Sequence, residues 1–129
     1  MKNKESYAVA VRREFTARHF LIGDEWGAEN DLHEHHYAVE FRLKGRQLDR
    51  HGYLIDICAV TAVLDEQVGR YRDKTLNSLP EFAGLNPSLE HLARMMGNAL
   101  AASLDSHLLG LAVRIWENEI AWAEYRKEF

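Results

Sequence analysis

The chain has one cysteine, Cys58, and two prolines in 129 residues. A lone thiol excludes an internal disulfide framework and any cysteine-rich zinc site. No apolar run approaches the length of a membrane span, so no membrane partner is expected. The opening Met-Lys-Asn-Lys-Glu-Ser is followed by no apolar signal core, and a cytoplasmic location is expected. No block of like charge occurs, and the formal net charge is −4, which argues against nucleic-acid binding through a basic face. There is no internal repeat and no low-complexity segment. What remains, 47% hydrophobic and 28% charged residues, has the balance of a soluble globular protein forming one ordinary domain over 1–129.

Histidine placement carries the most information. His33 and His35 alternate at the start of an extended stretch, so they project to the same side. Tyr37, Val39, Phe41 and Leu43 continue that face, while Glu34, His36, Glu40 and Arg42 occupy the other. In the preceding stretch Tyr7, Val9, Val11, Phe15, Ala17 and His19 share a face. If the two strands are neighbours, three imidazoles converge. Three neutral imidazoles with a vacant fourth position form a catalytic zinc arrangement, in which the metal polarises oxygen or acidifies a hydroxyl.

The chain reads strand, strand, helix, helix, strand, strand. The strands are expected at about 7–20 and 35–45, joined by a polar loop containing Gly23, Asp24, Gly27 and Asn30. Residues 57–71 switch to helical spacing, with Val60, Val63, Leu64, Val68 and Tyr71 on one side. Asn86-Pro87 reads as a second helix start, with Asn86 as N-cap and proline at the first helical position. Leu89, Leu92, Ala93, Met96, Leu100 and Leu104 then form its apolar stripe, with Met95 and Met96 as core filling. Gly110 separates this helix from a strand at about 111–118. A turn at Asn118-Glu119 leads to a last strand at about 120–126, with Trp116 and Trp122 packing in that hairpin. Cys58 reads as a small buried thiol. The fold class is α+β, an antiparallel sheet with two helices on one face. The outer strands of so small a sheet need protection, which joining sheets between subunits provides.

These residues resemble the 6-pyruvoyl-tetrahydropterin synthase and 6-carboxy-tetrahydropterin synthase family over nearly the whole chain. The pieces are Phe15-Thr16-Ala17-Arg18-His19, Leu32-His33-Glu34-His35-His36-Tyr37, Gly52-Tyr53-Leu54-Ile55-Asp56, Leu76-Asn77, Asn86-Pro87-Ser88-Leu89-Glu90 and Val113-Arg114-Ile115-Trp116-Glu117. The resemblance implies the ββααββ tunnelling fold (T-fold) and a homohexamer of two stacked rings of three, with active sites between subunits. It implies zinc held by His19, His33 and His35, and 7,8-dihydroneopterin triphosphate as substrate. Glu117 matches the glutamate that anchors the pterin ring. A carboxylate suits that guanidine-like edge, which donates two parallel hydrogen bonds. Ser88 and Glu90 match a helix-start segment that holds the same ring, and both also suit helix capping. Asp56 matches a family aspartate and equally suits an N-cap.

Three positions depart from the family pattern. The usual base is a cysteine four residues before the first histidine of the pair, and that position is Glu29. A glutamate serves as a base when burial raises its pKa. A family subgroup with glutamate there is associated with 6-hydroxymethyl-7,8-dihydropterin, a folate precursor. Alternatively, Glu29 is one carboxylate of an acidic loop with Glu25 and Asp31. The family's Asp-His proton relay falls on Arg72-Asp73-Lys74, which keeps Asp73 at most and no imidazole. Asp73 is either a carboxylate relay or a surface ion pair with Arg72 and Lys74. Glu34 stands where glycine is usual, as a second layer behind a histidine or a solvated side chain. Two readings follow: a carbon–oxygen or carbon–carbon lyase acting on a dihydropterin triphosphate with Glu29 as base, or a zinc-containing pterin-binding protein without that turnover.

Overall fold

The computed structural model describes residues 4–23, 26–104 and 107–129; Asp24 and Glu25 of the expected polar loop lie outside them. Strand β1 spans Tyr7–His19 and β2 spans His33–Gly45. Helix α1 is Ile57–Tyr71 and α2 is Leu89–Ala102, followed by β3 at Gly110–Trp116 and β4 at Trp122–Glu128. The strands form one antiparallel sheet in the order β1-β2-β3-β4. β2 and β3 are therefore neighbours although both helices lie between them in sequence. The α+β class and the one-sided helical cover are as expected.

The faces follow from period-two alternation. Phe15 and Ala17 of β1, Tyr37, Val39, Phe41 and Leu43 of β2, and Leu111, Val113 and Ile115 of β3 are buried. They meet Val60, Leu64, Val68 and Tyr71 of α1 and Leu92, Ala93, Met96 and Leu100 of α2. α1 lies over β1, and α2 lies over β3 and β4. The opposite sheet face carries ion pairs such as Arg42–Glu40 at 2.8 Å and Arg114–Glu124 at 3.0 Å. At the α2–β4 crossing a Cβ on Gly97 would stand 2.5 Å from Tyr125 Cδ2, so glycine is what allows this close approach.

Several boundaries differ from the sequence expectation. α2 is capped by Ser88, whose Oγ accepts from His91 N–H at 3.1 Å, not by Asn86. Asn86 is committed elsewhere, because its Oδ1 accepts from Ile22 N–H at 2.7 Å. The helix stops at Ala102, and Leu104 packs against the core from beyond its end. β3 begins at Gly110 and ends at Trp116, because Asn118 Oδ1 accepts from both Ile120 and Ala121 N–H and closes the turn early. β4 consequently starts at Trp122, which pairs with Trp116. Cys58 is exposed rather than buried, since it lies off the stripe that Val60 and Leu64 turn inward. Asp56 is the N-cap of α1, accepting from Cys58 N–H at 2.9 Å.

Candidate metal centre

The core-facing column of β2 runs Leu43, Phe41, Val39 and Tyr37, then continues as His35 and His33. The first four are buried; the two histidines are half-buried. Register then decides what stands beside them. His19 pairs directly with His33, and Ala17 with His35. The methyl side chain of Ala17 leaves room for His35 to lean towards His19. The three rings form a near-equilateral triangle, with centroids 4.5, 4.6 and 4.7 Å apart.

Each outer nitrogen determines what the inner one offers. His33 Nδ1 lies 2.8 Å from Asp31 C=O, which only accepts, so Nδ1 carries a proton, and in the neutral imidazole Nε2 is the lone-pair nitrogen. His19 Nδ1 lies 2.9 Å from the Tyr37 hydroxyl. His33 Nε2 and His35 Nε2 are buried and have no hydrogen-bond partner. Burial, followed by the neighbouring His35 and His33, lowers the pKa of His19 to about 4. Its imidazole is thus neutral at pH 7, the form that ligates metals. Burial, with Glu117 nearby, pushes the Tyr37 phenol up, so it stays a neutral partner for His19.

Two carboxylates complete the group. Glu29 sits in a 3-10 turn, Gly27–Asn30, and places Oε2 3.1 Å from His33 Nε2. Glu117, just past β3, places Oε1 3.5 Å from His35 Nε2. One ligand atom from each of His19, Glu29, His33 and His35 lies within 4.8 Å of all the others. Orphaned buried nitrogens and a nearby carboxylate are a donor set suited to zinc.

The remaining predicted residues lie apart from this cluster. Asp73 has φ 59°, a left-handed position, and its backbone N–H donates to Thr16 C=O at 2.7 Å. Its exposed side chain contacts neither the histidines nor Arg72 or Lys74 among the described residues, so of the two alternatives the surface ion pair is not formed. Ser88 caps α2 and Glu90 is exposed in its first turn. Glu34 faces away and lies 3.8 Å from Arg18, a solvated pair rather than support for a histidine. His36, His91 and His107 bond to Glu14, Arg94 and Leu54 C=O, all outside the cluster.

Sequence reasoning placed Tyr37 on the right face but gave it no role. The signal was available: a hydroxyl in phase with a buried column needs a partner. It also missed the asparagine clamps on the segment leaving β1. Asn77 bonds both Phe20 N–H and Phe20 C=O, and Asn30 Nδ2 donates to Leu21 C=O.

A ββααββ sheet-and-helix fold with three imidazoles at one sheet end is a T-fold protein with a candidate metal centre. A family model described as 6-pyruvoyl tetrahydropterin synthase matches residues 8–128, and the chain belongs to that family, one of lyase-type enzymes of pterin biosynthesis. It is 30% identical to a 6-pyruvoyl tetrahydrobiopterin synthase of Dictyostelium discoideum, over 93% of this chain and 96% of that protein. It is 25% identical to a putative 6-carboxy-5,6,7,8-tetrahydropterin synthase of Archaeoglobus fulgidus, over 96% of this chain and 99% of that one. A solved structure of the Plasmodium vivax 6-pyruvoyltetrahydropterin synthase, a glutamate-to-alanine catalytic residue mutant, shares the fold with TM-score 0.80 at 16% identity, covering 98% of this chain and 100% of that one.

Proposed function

We propose that this chain is a zinc-dependent lyase acting on 7,8-dihydroneopterin triphosphate, with His19, His33 and His35 as ligands and Glu29 as the general base. The observation that carries the reading is the Glu29 carboxylate, 3.1 Å from His33 Nε2 and beside all three imidazoles. Bound zinc supplies polarisation of side-chain oxygens and lowers the pKa of a hydroxyl. Glu29 would accept the proton at Oε2, in the position of the family's usual thiol, although its side chain is 54% exposed rather than buried as expected from the sequence. That a glutamate is described as the catalytic residue of the Plasmodium vivax protein supports a carboxylate in this role. The family subgroup with glutamate at this position is what favours 6-hydroxymethyl-7,8-dihydropterin among the pyruvoyl, carboxy and hydroxymethyl products.

Glu117 pairs with the amine edge of the ring and sets its reach to the metal. To do so its side chain turns away from His35 Nε2, which lies 3.5 Å off without a hydrogen bond between them. Asp73, Ser88 and Glu90 do not reach the cluster of their own chain, and we assign them to the site of a neighbouring copy. β1 and β4 are the two edges of the sheet, and joining them between copies gives the homohexamer that the family likeness implies.

A second reading, a zinc-containing pterin-binding protein without this turnover, is favoured by one observation: no imidazole accompanies Asp73. Incubation of zinc-loaded protein with 7,8-dihydroneopterin triphosphate, with products identified by mass, separates the two. A zinc-dependent product abolished by Glu29→Gln supports the lyase. Unchanged substrate, with pterin binding that Glu117→Ala destroys, supports the binding protein.

A further inference from the structure

We infer that Glu29 is itself a metal ligand in the pterin-free protein, closing the fourth position with a carboxylate that substrate must displace. This rests on the reading that His19, His33 and His35 hold the metal.

Tautomer chemistry makes the first argument. His33 Nδ1 donates to Asp31 C=O, so in the neutral imidazole Nε2 presents a lone pair. Glu29 Oε2, also a lone-pair donor, faces that nitrogen at 3.1 Å. Nε2 nevertheless makes no hydrogen bond. In that form two acceptors face one another at this distance, an arrangement that a cation between them stabilises.

Distance makes the second. Bonds of roughly 2.0–2.1 Å to a tetrahedral zinc put neighbouring ligand atoms about 3.3 Å apart. The 3.1 Å separation lies within about 0.2 Å of one tetrahedral edge. Glu117, 3.5 Å from His35 Nε2, falls outside the four-residue set that shares one centre.

Placement makes the third. Glu29 C=O accepts from Leu21 N–H at 2.8 Å, and the adjacent Asn30 Nδ2 donates to Leu21 C=O at 2.9 Å. The turn is therefore stitched to the chain two residues beyond His19, so one segment fixes both donors. The Glu29 side chain stays 54% exposed and is free to swing while its backbone is held. A carboxylate ligand also reduces the charge of the filled site from +2 to +1. Once displaced by an incoming hydroxyl, the same carboxylate is left beside that hydroxyl's proton.

The test is Co²⁺ titration of the metal-free full chain, following visible absorption, for wild type, Glu29→Ala and Glu29→Gln, with circular dichroism as the check on folding. Glu29→Ala is expected to bind Co²⁺ at least about 10-fold more weakly, with an altered ligand-field band. Added acetate is expected to restore the wild-type band in Glu29→Ala. Neopterin added to wild type is expected to shift its band to that of Glu29→Ala with neopterin. Identical bands and affinities in wild type and Glu29→Ala overturn the inference and leave the histidine site standing. Failure of wild type to bind Co²⁺ overturns both.

Discussion

Replacing Tyr37 with phenylalanine isolates one hydrogen bond behind the histidine triangle. The Tyr37 ring is 1% exposed and stacks on Phe15 with centroids 5.3 Å apart. Phenylalanine keeps that packing and removes only the hydroxyl, which lies 2.9 Å from His19 Nδ1. His19 is 5% exposed, so water does not readily replace the lost partner. Leaving a buried polar nitrogen unsatisfied costs about 1–3 kcal/mol. Loss of the group orienting a ligating histidine weakens metal binding about 10- to 100-fold. At saturating zinc that removes a further ~1.4–2.7 kcal/mol of the stabilisation the metal confers. Urea unfolding with and without excess zinc reads both quantities. The metal-free variant should lose about 1–3 kcal/mol, and its zinc-induced gain should shrink as well. If metal-free stability and the zinc gain both match wild type, the hydroxyl does not position His19 and the reasoning fails.

Three other outcomes follow from the same geometry. In metal-free protein the His19 pKa is lowered from 6.5 to about 4, by burial first and then by His35 and His33. The unfolded chain binds the extra proton between those values, so stability is complete above pH 6.5 and falls as pH drops towards 4; urea midpoints at pH 7.5 and 5 check this, and His19→Gln should flatten the difference. The Arg70 guanidinium, joined by the Tyr71 hydroxyl, holds the Glu81 carboxyl at about 2, so Glu81→Gln should cost about 1 kcal/mol above pH 4.5 and progressively less towards pH 2, read by thermal melts. Gly97→Ala drives a methyl group into Tyr125, whose hydroxyl donates to Asn98 Oδ1 at 3.2 Å, and should destabilise by about 1–3 kcal/mol in urea unfolding. Wild-type stability in Gly97→Ala would mean that the Tyr125 ring moves aside freely.

Alternation made the sheet readable. Tyr37, Val39, Phe41 and Leu43 repeat at the pleat period, and the structure buries all four. The helix stripes were legible for the same reason, and α1 spans Ile57–Tyr71 as its spacing predicts. Ends were less legible, because competing side-chain bonds decide them. Asn86 looks like a cap by residue type, yet Ile22 N–H, 64 positions away, claims its oxygen. Cys58 looks like a core thiol by residue type, yet the helix phase set by Val60 turns it outward. Asp73 illustrates the limit within the site, since its neighbours Arg72 and Lys74 suggest an ion pair and the left-handed backbone there leaves the carboxylate in solvent.

Composition and period alone determined an α+β fold and put three histidines in phase on their strands, while the resemblance to the family marked Glu29 as the carboxylate in place of a thiol. Those are properties of residue type and local repeat, which a linear chain carries in full. Only tertiary structure decided that His19 stands opposite His33, that Tyr37 backs His19, and that Glu29 reaches His33 from a turn tied to Leu21. Strand register and loop path depend on hydrogen bonds between distant segments, and sliding β1 by one residue would have moved His19 to the other face of the sheet.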